Sequence, residues 1–281
     1  MNTYNQLIHE YRRRFMEKGL PPETVKAFLF ELCNDHGVDL YMDMDKPVNE
    51  EVGQDFMKGI DRLLNNEPMN YVLGYSYFYG YRLFVNEDVL IPRPETEELV
   101  GLILGKYDEY RKGKDTVVFD VGTGSGAIAI ALAKEEKRLQ VYASDISEKA
   151  LKVAEKNREY NDCPVTFMKG SMLEPYIDKG LRADILVSNP PYIKTVEKIE
   201  SSVYDFEPHV ALFGGEDGLF FYRQILKDAD KVLNKDGIIF FEMGYDLKEE
   251  LSHLVREYMP QAVIDVFRDI NGKDRMMMIR T

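Results

Sequence analysis

A short turn with polar and aromatic side chains, Asn189-Pro190-Pro191-Tyr192, directly follows the apolar run ADILVS. A run of this length with Ile, Leu and Val is typical of a buried strand, and two consecutive prolines cannot continue a strand or a helix. Because prolines lack N–H groups, carbonyl oxygens at the turn are free to accept hydrogen bonds. Together with the carboxamide of Asn189 and the aromatic face of Tyr192, they suit a planar group that carries an NH2. The same residues also fit a simple proline-rich turn.

A glycine-rich stretch, DVGTGSGA at residues 120–127, is the second candidate site. Its glycines let the backbone approach a ligand closely, and the following helix begins with free N–H groups. Asp145, about twenty residues further on, ends the next predicted strand and can accept the hydroxyls of a ribose. These features predict a cofactor that contains a nucleoside. Because Ala127 fits the last small position of a dinucleotide fingerprint, the glycines alone do not choose between NAD and S-adenosylmethionine.

An α/β domain must position these residues. Seven segments have strand patterns, and most are separated by helical patterns: residues 116–120, 141–144, 165–169, 185–188, 237–242, 263–267 and 275–279. Such alternation predicts a mainly parallel sheet covered on both faces, a doubly wound Rossmann-like fold. Ligands of such sheets bind beyond the carboxyl ends of the strands, where both candidate sites lie.

The residues before this domain have a different pattern. Apolar residues recur at helical spacing within residues 4–18, from residue 23 to about residue 37, and within residues 49–65, which predicts a small helical domain. From residue 71 to residue 85 the period changes to two, which predicts a β-hairpin. We therefore divide the chain into a helical domain at 1–70, a hairpin linker at 71–90 and an α/β domain at 91–281. At its entry, Thr96 is a candidate helix cap in the segment LIPRPETE, which could also form a lip of the site.

Composition restricts the possible partners. The formal net charge is −13, which argues against free duplex nucleic acid, because such binding depends on Lys and Arg neutralising phosphates. No apolar run reaches the roughly 18 residues that a membrane span needs. Cys33, Cys163 and the four histidines are scattered and match no disulfide framework or metal site. We expect no membrane partner and no metal, and a reducing cytoplasm as the compartment.

The turn at residues 189–192 resembles that of methyltransferases acting on adenine N6, cytosine N4 or the glutamine amide. The wider pattern is similar to the peptide chain release factor N5-glutamine methyltransferases, the HemK/PrmC family, over nearly the whole chain. It rests on these stretches: EP at 67–68, IPRPETE at 91–97, DVGTGSG at 120–126, NPPY at 189–192, EP at 207–208 and GGEDGL at 214–219, with Asp145, Asn157, Asp269, Gly272 and Arg275. The resemblance implies the class I S-adenosylmethionine-dependent fold. It also implies methylation of the Gly-Gly-Gln glutamine of class 1 release factors, with the helical domain helping to bind the release factor.

The resemblance assigns the cofactor contacts. Five residues would hold the methionine end: Gly122, Thr123, Gly124, Ser125 and Gly126. Asp145 would hold the ribose. Ser171 and Met172 fall at the adenine, where the family commonly has Asp and an aromatic residue. Asn189 would contact both cofactor and substrate.

The resemblance also places Asn189, Pro190, Pro191 and Tyr192 around the substrate glutamine. An amide nitrogen is a poor nucleophile because its lone pair is delocalised into the carbonyl. If the Asn189 side-chain oxygen and the Pro190 carbonyl each accept one N–H, they fix the NH2 and favour pyramidal character. Tyr192 would pack on the amide plane. The expected catalytic residues are therefore Asn189, Pro190 and Tyr192.

Three other functions compete with this interpretation. A DNA adenine-N6 methyltransferase shares the NPPY turn, but the acidic charge argues against it. An NAD oxidoreductase fits the glycines but leaves the two prolines unexplained. A non-enzymatic ribosome-associated binding module would transfer no methyl group at all.

Overall fold

The computed structural model describes residues 2–281, and by its contacts the chain forms two compact units. Residues 2–74 and Glu200–Phe206 form one, and Tyr75–Ile199 with Glu207–Thr281 form the other. Among the described residues, none of the helices combines the length and the apolar composition that a membrane span requires. No group of three or more His, Cys, Asp or Glu side chains there could hold a metal ion.

The first unit is helical. Its helices are α1 (Tyr4–Glu17), α2 (Glu23–Asp35), α3 (Leu40–Asp43), α4 (Glu50–Leu64), α5 (Met69–Leu73) and, much later in the chain, α10 (Ser201–Phe206). Thr3 begins α1 with a capping box to Gln6, which satisfies N–H groups that have no partner within the helix. Phe28 and Phe56 meet in the core, with ring centroids 5.7 Å apart. Asn66 donates to the hydroxyl of Ser201 at 3.0 Å, which ties α10 to this unit.

The second unit opens with an antiparallel hairpin, β1 (Tyr75–Phe78) and β2 (Tyr81–Phe84). The hairpin is shorter than the alternating pattern predicted, because residues 71–73 belong to α5. That helix follows Pro68 and ends at Gly74, whose φ of +80° closes the helix in the left-handed conformation. The prediction that residues 71–73 form part of a strand was therefore wrong.

The predicted seven-stranded, mainly parallel sheet is confirmed. Its strands are β3 (Thr116–Val121), β4 (Leu139–Asp145), β5 (Val165–Lys169), β6 (Ala183–Ser188), β7 (Leu233–Glu242), β8 (Val263–Arg268) and β9 (Asp274–Arg280). Their order is β5-β4-β3-β6-β7-β9-β8, and only the pairings of β9 are antiparallel. The order reverses between β3 and β6, where open α/β sheets bind their ligands.

Helices cover both faces of this sheet. They are α6 (Pro94–Tyr110), α7 (Ala127–Glu135), α8 (Glu148–Asn161), α9 (Glu174–Asp178), α11 (Phe220–Val232) and α12 (Lys248–Tyr258). Successive strand residues enter different cores: Ile185 packs with α6 and α7, whereas Leu186 packs with α11 and α12. This follows from the two-residue period of a strand, and it explains why the central strands are apolar throughout.

Candidate functional site

A cavity lies at the carboxyl ends of the parallel strands β3, β4 and β6. The predicted site residues that line it are Gly122, Thr123, Gly124, Ser125, Asp145, Met172, Asn189 and Pro191. The four other predicted site residues, Gly126, Ser171, Pro190 and Tyr192, are not among its lining residues. Residues 88–93 and Thr96 contribute to its wall, with the exception of Ile91.

The glycine loop after β3 leaves open space beside its backbone. Gly122 and Gly124 have φ of +74° and +55°, and a Cβ added at either would meet no atom within 4 Å. Gly126 differs, because a Cβ there would approach Ile130, Phe167 and Ala154 at 3.2–3.3 Å. Gly122 and Gly124 thus leave room for a ligand, whereas Gly126 allows helix α7 to pack closely.

Asn157 is hydrogen-bonded to the backbone of this loop. Its side chain is fully buried and donates to the Ser125 carbonyl at 2.9 Å and to the Phe84 carbonyl at 3.0 Å, while its Oδ1 accepts the Phe84 N–H at 2.6 Å. One carboxamide therefore joins α8, hairpin strand β2 and the glycine loop. Because all these bonds go to backbone atoms, Asn157 fixes the path of the loop.

Asp145 ends β4 and is fixed by backbone N–H groups. Its Oδ2 accepts the Gly124 N–H at 2.8 Å, and its Oδ1 accepts the Ser147 N–H at 2.8 Å. Burial raises the pKa of this carboxyl, and the bonds from Ser147, Gly124 and Ile146 oppose the rise. A carboxylate has about four acceptor sites, so after these backbone bonds the carboxylate can still accept a hydroxyl group from the cavity.

The segment after β5 reaches the cavity through Met172. This residue has φ of +45°, and its carbonyl accepts the Ser144 hydroxyl at 3.2 Å. The carbonyl of neighbouring Ser171 accepts the Glu174 N–H at 3.0 Å, at the start of α9. Of the two residues, only Met172 contributes to the cavity wall.

The Pro191–Tyr192 backbone rests against a glycine loop that precedes α11. Ile193 N–H donates to the Leu212 carbonyl at 3.0 Å, and Gly214 N–H donates to the Ile193 carbonyl at 2.9 Å. A Cβ on Gly214 would lie 2.5 Å from the Pro191 carbonyl oxygen, and one on Gly218 would lie 2.5 Å from that of Tyr192. The turn after β6 is thus held by close backbone packing.

Buried polar side chains connect Asn189 to β7. Asn189 Nδ2 donates to Thr96 Oγ1 at 3.1 Å, and the Thr96 hydroxyl donates to Glu242 Oε2 at 2.6 Å. The Tyr192 hydroxyl lies 3.4 Å from Glu242 Oε1, so Tyr192 points towards β7. Burial raises the pKa of Glu242 to about 7, while Thr96 and Arg275 act in the opposite direction. Burial also raises the pKa of Tyr192.

The expectation that Thr96 caps α6 was wrong. The helix begins at Pro94 after Arg93, whose side chain makes no capping bond, and the Thr96 hydroxyl is used by Glu242 instead. The ring of Pro94 sets φ for the first helical position, so this helix begins without a side-chain cap.

An ion pair fixes the segment that leads into α6. Arg93 contacts Glu207 Oε1 at 2.5 Å, and Glu207 Oε2 accepts the Ile91 N–H at 3.3 Å. The Glu207 side chain is 1% exposed, so this carboxylate is buried with two partners. Leu90, Pro92 and Arg93 line the cavity, and the bonds therefore define its wall.

Sequence reasoning missed Glu242 and Glu207 as parts of the site. Glu242 had a visible signal, since it is an acidic residue that closes the apolar strand segment IIFFE. Glu207 lies outside any strand, and only the folded chain brings it to Arg93.

Two family models and several known proteins match this chain. Residues 6–74 match the family model "PrmC N-terminal domain", and residues 103–206 match "Methyltransferase small domain". The chain is 42% identical over 263 residues to a release factor glutamine methyltransferase of Bacillus cereus, covering 93% of both chains. A Staphylococcus aureus protein with the same name is 33% identical over 282 residues, covering 100% of both.

The chain belongs to the release factor glutamine methyltransferase family. Membership argues against the NAD oxidoreductase, the DNA adenine methyltransferase and the non-enzymatic module, because relatives with one enzymatic name match it from end to end. The methyltransferase fold is also seen in a methyltransferase structure from Pyrococcus furiosus. That structure is 22% identical with a TM-score of 0.52, and the match covers 78% of this chain and 95% of that one.

Proposed function

We propose that this protein transfers a methyl group from S-adenosylmethionine to the side-chain N5 of the glutamine in the Gly-Gly-Gln motif of class 1 peptide chain release factors. This reaction would support translation termination, which takes place in the cytoplasm. The observation that carries the proposal is the placement of Asn189. It lines the cavity while its Nδ2 is bonded to Thr96, so Oδ1 is left to accept an N–H from a bound NH2.

The residues of the cavity fit the cofactor. Open space beside Gly122 and Gly124 would take its methionine end. Asp145, held by backbone N–H groups that include those of Gly124 and Ser147, would bind the ribose, and Met172 would contact the adenine. When bound, S-adenosylmethionine supplies an electrophilic methyl group on a sulfonium. The apolar wall contributed by Val89, Leu90 and Phe221 would exclude water from the site.

The NPPY turn would hold the substrate amide. Asn189 Oδ1 and the Pro190 carbonyl would each accept one N–H of the glutamine NH2, which fixes its rotation and favours a pyramidal nitrogen. Pro191 and Tyr192 would bound the substrate site. Positioning alone can contribute several kcal/mol to such a reaction. The methylated nitrogen gives up one proton after the transfer, so no strong base is required.

The helical unit would dock the release factor, as its match to the PrmC N-terminal domain supports. A glutamine on a loop offers little surface, so selection of one loop among many requires contacts elsewhere on the partner. The acidic chain is poorly suited to bind nucleic acid directly, and the release factor protein is the proposed partner.

Methyl transfer from labelled cofactor tests the proposal. Purified protein is incubated with class 1 release factor, with a release factor whose Gly-Gly-Gln glutamine is changed to alanine, and with duplex DNA. We expect label only in the first reaction, and mass spectrometry of the tryptic peptide should place it on the glutamine side chain. Label in DNA, or in the alanine-substituted factor at an equal rate, would contradict the proposed function.

A further inference from the structure

We propose that Glu242 is a positioning residue that sets the direction of the hydrogen-bond chain Asn189–Thr96–Glu242, and with it the face of the Asn189 amide that meets the substrate. This inference rests on the proposed function, because it specifies how the substrate amide is held. Glu242 is not among the residues that line the cavity, and it acts through Thr96 and Asn189.

Three elements meet in this chain. Asn189 follows β6, Thr96 lies in the first turn of α6, and Glu242 ends β7. Thr96 and Glu242 are 4% and 2% exposed. Water therefore does not compete for their hydrogen bonds, and these polar groups must find partners within the protein. Thr96 links the two others, since its hydroxyl contacts both Asn189 and Glu242.

An ionised Glu242 carboxylate fixes the direction of the hydrogen bonds in this chain. It has no hydrogen to donate, so the single proton of the Thr96 hydroxyl must point to Glu242. Thr96 can then only accept from Asn189, which must offer Nδ2. Asn189 Oδ1 is consequently turned away from Thr96, as an acceptor for the substrate NH2.

A neutral side chain at position 242 removes this constraint. A protonated carboxyl or a glutamine can donate to Thr96, and the Thr96 proton is then free to point to Asn189 Oδ1. The Asn189 amide can rotate by half a turn and present its own NH2 to the substrate NH2. Two donors would face each other there, which leaves both without a partner in a buried site.

The charged and titratable groups around Glu242 come from several elements. Glu95 is on α6, Tyr192 follows β6, Tyr222 is on α11 and Arg275 is on β9. The Tyr222 hydroxyl donates to the Glu242 backbone carbonyl at 2.6 Å. Arg275 is itself held by Asp269 at 3.3 Å and donates to the Met243 carbonyl at 3.2 Å. Burial has the largest effect and opposes the ionised carboxylate, as does Glu95. The bonds from Thr96 and Tyr192 and the charge of Arg275 favour it, and the result is a pKa raised to about 7.

The test compares Glu242→Gln with wild-type protein, using intact release factor and a pH range of about 6 to 8.5. We expect kcat to fall about 10- to 100-fold, the range expected for a misplaced reacting group. KM for release factor and affinity for S-adenosylhomocysteine should change less than about threefold. Wild-type kcat should rise with pH as Glu242 ionises, and this rise should be absent from the variant.

Two substitutions at position 96 test the same hydrogen-bond chain without changing the Glu242 carboxyl group. Thr96→Ser keeps the hydroxyl and should retain most of kcat, whereas Thr96→Val keeps the shape and should lose kcat to the extent that Glu242→Gln does. Thr116→Val is the matched control, because Thr116 is a buried threonine at the opposite end of the sheet that donates to the Lys114 carbonyl. It should leave kcat unchanged.

The outcomes separate this inference from the proposed function. If wild-type protein does not methylate release factor, the proposed function fails. If it does, while Glu242→Gln keeps wild-type kcat or the wild-type pH profile, the positioning role is wrong. Should Glu242→Gln not fold, as judged by circular dichroism, the Thr96 pair decides: equal kcat for the serine and valine variants would overturn the inference.

Discussion

Gly214 packs directly against the carbonyl of Pro191: a Cβ built on the glycine would lie 2.5 Å from that oxygen. The φ of Gly214 is not positive, so the close approach, rather than the backbone conformation, requires a glycine there. The stretch GGEDGL, which is distant from the NPPY turn in the sequence, is therefore a support for it. The Ile193 carbonyl accepts the Gly214 N–H at 2.9 Å and holds the two segments together.

Replacement of Gly214 by alanine should displace the NPPY turn. Overpacking of this kind costs about 1 to 3 kcal/mol in unfolding free energy, and we expect methyl transfer to fall more than cofactor affinity does. Gly105→Ala in α6 is the control, because a Cβ there meets no atom within 4 Å. Denaturant unfolding and initial rates measure both effects. Equal stability and rates for the two variants would contradict the support role.

Replacement of Asn189 by alanine should reduce methyl transfer to release factor by about 100-fold or more, the scale seen when one preorganised polar contact is lost. Affinity for S-adenosylhomocysteine should fall only modestly, because Asp145 and the glycine loop remain. Initial rates and calorimetric titration separate the two. Turnover close to that of wild-type protein would rule out the proposed role of Asn189.

Replacement of Asp145 by alanine should act on cofactor binding instead. A lost hydrogen bond to a charged acceptor costs about 1.5 to 3 kcal/mol, and the Gly124 N–H also loses its partner. Calorimetric titration with S-adenosylhomocysteine measures the loss. Glu148→Ala is the control, since this exposed carboxylate at the start of α8 bonds to Lys169 on the surface. Unchanged affinity of the Asp145 variant would mean that another residue holds the ribose.

Stability should depend on pH through Glu242, with a sign opposite to that of activity. Its pKa rises from 4.5 to about 7 on folding, so the folded state favours the protonated carboxyl. The resulting stability is complete below pH 4.5 and is lost as pH rises through about 7. The corresponding free energy is about 3 kcal/mol, at 1.36 kcal/mol per pKa unit.

Glu242→Gln isolates this contribution. From pH 5 to pH 8, the unfolding free energy of the variant should increase relative to that of wild-type protein by up to about 3 kcal/mol. Denaturant titrations at several pH values test it. The difference between the two proteins cancels the other titrating groups, including Asp120, whose pKa is also raised by burial. A difference that does not vary with pH would contradict the raised pKa.

Deletion of residues 1–70 should leave a domain that binds cofactor, because every residue lining the cavity lies between Asp88 and Phe221. Transfer to intact release factor should fall strongly, whereas transfer to a short Gly-Gly-Gln peptide should be weak in both forms and change little. Helix α10 loses its partner Asn66 in this variant, so folding must be verified by thermal melting. A folded truncation that methylates intact release factor at the full rate would show that the helical unit is not a docking module.

Local patterns in the sequence were sufficient to predict the sheet and most residues of the cavity. Strand and helix patterns are local, and strand ends in a parallel sheet share one edge, so the order of the residues along the chain is enough to place Gly122, Asp145 and Asn189 together. The family resemblance depended on equally local motifs, and the end-to-end similarity of the relatives bears it out.

The hydrogen-bond partners of these residues, in contrast, could be identified only in the folded chain. Thr96 looked like a helix cap because its neighbours begin a helix, yet its hydroxyl donates to Glu242, 146 positions away. The alternating pattern that begins at residue 71 predicted a strand, but its first residues belong to the short helix at Met69–Leu73. Partners of a buried polar group are chosen by which elements pack together, and no spacing along the chain records that choice. The candidate site could therefore be located from the sequence, whereas the direction of its hydrogen bonds required the fold.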